Sequence, residues 1–116
     1  HADRLLETIA TPPAIVMALT GHRHRNRICM IHDCLLLDTA CIIGYPMGFR
    51  DITLYEDGTV QAKFIQLDLP DLIQASRDRS PPEENLGWAG ESKDQDIELF
   101  LPRLDVLWRE NQRMSG

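Results

Sequence analysis

Two histidines one residue apart, His22 and His24, follow a glycine at the end of an apolar run, in the order Ala14-Ile15-Val16-Met17-Ala18-Leu19-Thr20-Gly21-His22-Arg23-His24. Neutral imidazole is a common ligand for divalent transition metals, so a histidine pair held on one turn can ligate metal ions. The apolar run reads as a strand buried on both faces, and a glycine at its end lets the backbone turn sharply into solvent. Spacing alone also fits two half-exposed loop histidines. Arg23, Arg25 and Arg27 interleave with the pair. Such a cluster can attract a phosphate group, and it reads equally as a solvated basic loop.

Other side chains of chemical interest are fewer. Cys29, Cys34 and Cys41 make an odd count in a short chain, which fits a reducing, cytoplasmic setting better than a disulfide framework. They lie in or beside apolar segments and read as small buried hydrophobes. A zinc site from His22, His24, Cys29 and Cys34 has the spacing H-x-H-x4-C-x4-C, which lacks the paired C-x2-4-C of structural zinc sites. His32, next to Asp33, reads as a residue of a tight turn between two strands.

The elements that must position these residues follow from periodicity. Residues 3–11 read as a short helix with Leu5, Leu6 and Ile9 on one face, stopped by Pro12-Pro13. Residues 14–19 read as the buried strand, and residues 27–31 and 34–37 as a hairpin around His32-Asp33. Residues 49–55 and 59–67 flank Glu56-Asp57-Gly58, a strong hairpin signal, although alternation does not decide which face of the first strand is buried. Beyond these, residues 69–75 suggest a short helix, and residues 76–94, with Pro81-Pro82 and many charges, suggest a loop. Trp88 within that segment implies that it docks on the body. Ile97, Phe100, Leu101, Leu104, Leu107 and Trp108 recur at spacings of three and four, which predicts a helix over 95–113, kinked or broken at Pro102.

The Thr20-Gly21-His22-Arg23-His24 ending resembles the last metal-binding block of the calcineurin-like metallophosphoesterases, Gly-His-x-His. The resemblance extends over roughly the first 65 residues. Residues 2–9 resemble the helix before the family's buried strand. Residues 26–31 and 34–40 resemble its two short strands, and Gly44-Tyr45-Pro46 with residues 49–60 resembles its closing hairpin. The family's earlier blocks, Asp-x-His, Gly-Asp and Gly-Asn-His, do not occur in these 116 residues. His1 does not match the family's lone histidine, which is followed by proline, and reads as a terminal residue. The resemblance therefore implies the C-terminal part of a larger enzyme of α+β class. Its fold would be one half of a four-layer αββα sandwich over residues 1–67, with a helical extension over 68–116. It assigns His22 and His24 one to each ion of a divalent metal pair, manganese, iron or zinc, that serves phosphoester hydrolysis, a phosphodiester before a monoester. The bridging carboxylate, catalytic asparagine and acid/base histidine would lie upstream. This chain would hold no catalytic residue of its own, and nothing in it selects the substrate.

Composition sets the outer bounds. An apolar content of 43% excludes a disordered chain, and no run of about eighteen apolar residues suggests a membrane span. A formal charge of −6 argues against a nucleic-acid backbone as partner. A second reading makes the chain a non-catalytic module. Bared strand edges and the apolar stripe near its end would then pair with another copy, giving a homo-oligomer.

Overall fold

The computed structural model describes residues 2–10 and 15–115, so His1, Thr11, Pro12-Pro13, Ala14 and Gly116 lie outside the described residues. The chain is mixed α+β, with two three-stranded sheets and five helices among the described residues. Helix α1 spans Ala2–Ala10, followed by strand β1 over Met17–Thr20. Strands β2, Arg27–Ile31, and β3, Cys34–Asp38, form an antiparallel hairpin. His32 and Asp33 link them with φ of 48° and 61°, the double left-handed conformation of a two-residue hairpin turn. His32 is therefore a turn residue. β3 is central, with β1 parallel on one side, Thr20 beside Asp38, and β2 on the other.

The second sheet starts with β4, Gly48–Leu54, and β5, Thr59–Gln66, paired from Leu54–Val60 to Gly48–Gln66. Phe49, Asp51, Thr53 and Tyr55 are exposed while Arg50 and Ile52 turn inward, which settles the face left open by the sequence. Gly58 closes the turn with φ of 91°. A Cβ there would also lie 2.6 Å from the Phe100 ring, so glycine is required on two counts.

Three expectations are corrected. Residues 97–100 are not helical: β6, Ile97–Phe100, pairs antiparallel with β5 as the edge of the second sheet. Its burial alternates, with Ile97 and Leu99 half-buried and Glu98 and Phe100 exposed. Over four residues a spacing of three or four and a spacing of two share positions, so the pattern was ambiguous. Pro102 then stands at the start of helix α5, Pro102–Ser115, where its missing N–H costs nothing. Nor is 76–94 a loop. Helix α2 covers Pro70–Asp78, α3 Pro82–Ala89 and α4 Ser92–Gln95. The prolines there open helices rather than break them. Finally, β1 is not buried on both faces. Leu19 is 64% exposed, because β1 is a four-residue edge strand with only one face on the core.

The core lies between the sheets. Leu35 and Leu37 from β3 meet Val60 and Ala62 from β5, and Leu101 and Leu104 close one end, with Trp108 packed against them. Arg103 ties α5 to the first elements by donating to the carbonyls of Ile9, 2.7 Å, and Ile15, 2.9 Å. No helix among the described residues is long and apolar enough to cross a membrane.

Candidate functional site

The segment 21–24 leaves the C-terminal end of β1 as an exposed turn. A backbone hydrogen bond from Thr39 to the Thr20 carbonyl, 3.0 Å, ties the end of β1 to the chain just after β3. Both histidines of the turn have positive φ, 83° at His22 and 57° at His24. For residues with a Cβ this conformation costs about 1–3 kcal/mol each, and it persists only where the surroundings hold it.

The chain just after the turn is anchored by Asn26, two residues on and only 2% exposed. Its side-chain oxygen accepts from the Ala40 N–H at 3.0 Å and from Arg50 at 3.2 Å. Its amide donates to the Ala89 carbonyl at 3.1 Å, and its backbone N–H donates to the Trp88 carbonyl at 2.8 Å. The turn is thereby sewn to the loop after β3, to β4 and to the end of α3. Gly90, with φ of 72°, makes the approach possible, since a Cβ there would lie 2.7 Å from the Asn26 carbonyl oxygen. Trp88 is half-buried at this junction, so its segment does dock on the body.

Arg50 is the second knot. Its guanidinium donates to the carbonyls of Asp38, Asp94 and Gln95 as well as to Asn26. Burial pulls its pKa below the ordinary arginine value, and the charges of Asp96, Asp94 and Asp38 oppose that pull. Beside it, Arg25 faces Asp38 at 3.6 Å. Among the described residues, Arg25 Nε and Asp38 Oδ1 are buried without a hydrogen-bond partner.

The structure brings some expected residues together and separates others. His24 lines a cavity of about 200 Å³ with Cys41, Tyr45, Arg79 and Trp88. His22 does not line it. The four-ligand zinc reading does not hold: Cys34 is fully buried in the core, and no group of three metal-ligating side chains is assembled among the described residues. Nor are all three cysteines core hydrophobes, since Cys29 and Cys41 are only half-buried. No hydrogen bond engages either imidazole among the described residues, so their ring nitrogens remain available as donors to a metal. Two imidazoles alone are too few to complete a metal centre.

Comparison with protein-family models, with curated proteins and with solved structures returned no match. The chemistry of the site is therefore argued from its residues. Asn26 and Arg50 were not singled out in the sequence. The alternation of residues 49–55 leaves open which face is buried, so the inward position of Arg50 shows only in the structure.

Proposed function

We propose that this chain is the C-terminal lobe of a dinuclear metal-dependent phosphoester hydrolase of αββα type, in which His22 and His24 each ligate one ion. The observation that carries the reading is the Gly21-His22-Arg23-His24 turn itself. It is exposed at the C-terminal end of a strand, with both histidines in costly backbone conformations and a buried asparagine anchoring the chain just after them. Positive φ at two neighbouring potential ligands is the kind of backbone strain that binding sites store. The remaining ligands would come from sequence upstream, together with the layer that covers Leu19 and the free edge of β1.

When bound, the ion pair supplies Lewis-acid activation of water and of the phosphoryl oxygen. The chain's own part is to fix the two imidazoles and to present the exposed Arg23 between them, where its charge draws a phosphoester anion. The substrate is a phosphodiester before a monoester. Three free cysteines agree with a reducing, cytoplasmic setting. In the full-length gene product with manganese, His22→Ala or His24→Ala should each lower hydrolysis of bis-p-nitrophenyl phosphate by several orders of magnitude. Near-normal turnover in either variant rules the assignment out.

A second reading, a non-catalytic oligomerising module, draws on the same exposed β1 edge and Leu19, which a second copy would cover. Retention of a metal-free dimer by the full-length product, with no hydrolysis, would favour it.

A further inference from the structure

We propose that α2 and α3 build a recognition pocket against His24 for the organic part of an aryl phosphoester, with Arg79 as its anion-binding residue. The inference rests on the phosphoesterase reading for the role of His24 and deepens it by naming a substrate class. The walls come from four separate places: His24 from the turn after β1, Cys41 and Tyr45 from the loop after β3, Arg79 from the end of α2, and Trp88 from α3. They are fixed relative to one another. Asn26, two residues from His24, donates its backbone N–H to the Trp88 carbonyl at 2.8 Å, and the Tyr45 N–H donates to Ser76 Oγ of α2 at 2.8 Å. Arg77 lies 5.9 Å from the centroid of the Tyr45 ring, which holds that ring to α2 as well.

Charge and shape then select the ligand. The chain carries a net −6, yet no carboxylate lines this cavity. Arg79 is exposed, and among the described residues no carboxylate pairs with it. A guanidinium is a planar fork of donors matched to two phosphoryl oxygens. Trp88 and Tyr45 supply aromatic surface, on which a planar ring stacks. The volume, about 200 Å³, is below that of pockets that enclose drug-sized ligands, so it takes one ring rather than two. The phosphate would reach toward His24 while its aryl substituent lies on Trp88.

Phenyl phosphate titrated into the ¹⁵N-labelled chain without metal tests this, with inorganic phosphate and phenol as separate arms. The Trp88 indole resonance is assigned by its loss in Trp88→Phe. Phenyl phosphate should shift that resonance and the Arg79 amide saturably, and both single-group probes should bind more weakly. Arg79→Met, at an exposed position, should weaken phenyl phosphate binding about tenfold while leaving the rest of the spectrum in place. The proposal is overturned if Trp88 shows no saturable shift, if Arg79→Met binds equally well, or if either single-group probe matches phenyl phosphate. Because no metal is present, these results stand apart from those of the His22→Ala and His24→Ala enzymes, and the two failures cannot be confused.

Discussion

Asn26 shows how much of the site is carried by a residue that touches no ligand. Replacing it with alanine strands the Ala40 N–H and one Arg50 donor, while the Ala89 carbonyl keeps the Gln95 amide at 3.1 Å. Buried groups left unpaired cost about 1–3 kcal/mol each, less where they relax toward water. Asn26→Ala should therefore lower stability in urea by about 2–3 kcal/mol with an unchanged m value; a loss under about 0.5 kcal/mol would mean the knot is not structural. Asp57 offers a pH signature. In the β4–β5 turn the Thr59 side chain first, and then the Thr59 N–H at 2.8 Å, hydrogen-bond its carboxylate and hold its pKa below the usual carboxylate range. A depressed folded pKa gives stability that is present above the unfolded value and lost as pH falls through the folded one. The stability gap between wild type and Asp57→Ala should thus close on the acid side of the carboxylate range and stay flat near neutrality. A gap independent of acid pH would disprove the charged hydrogen bond. At this scale the sequence exposed His22 and His24 through type and spacing. Asn26 stayed hidden because its partner Ala89 lies 63 residues away, and local pattern carries no trace of such pairings.

Among elements, α1, the β2–β3 hairpin and the β4–β5 hairpin are all legible, because each is decided by local turn chemistry or periodicity. β6 is not. Its role as edge of the second sheet comes from pairing with β5 across more than thirty positions, from Thr59–Phe100 to Ala62–Ile97. The apolar residues that suggested one exposed helical stripe are divided between a strand and a helix. Leu101 and Leu104 are spent inside the chain's own core, at 0% and 4% exposure. That weakens the premise that this stripe needs a second copy to cover it. Truncating Leu104 to alanine should cost about 2–5 kcal/mol of folding stability, read by thermal or urea denaturation. A negligible cost accompanied by dissociation of an oligomer would instead place Leu104 at an interface.

Over the whole molecule, the two sheets and α5 make a body that presents the histidine turn at one strand end, while α2 and α3 are fastened beside it through Asn26 and Ser76. The segment after residue 67 is thus structurally tied to the site. In the sequence only Trp88 pointed to this, because the prolines that start α3 and α5 look like breakers when read without their neighbours. The described residues bring two imidazoles and no third ligand to the turn, so the metal centre is proposed to be completed from upstream sequence. Metal content of the purified full-length gene product is the most direct test. It should hold a pair of transition-metal ions per polypeptide, and His22→Ala and His24→Ala should each reduce that content while the protein remains folded. Full metal occupancy in both variants, or a wild-type protein that takes up no metal at all, would contradict the assignment of His22 and His24 as ligands.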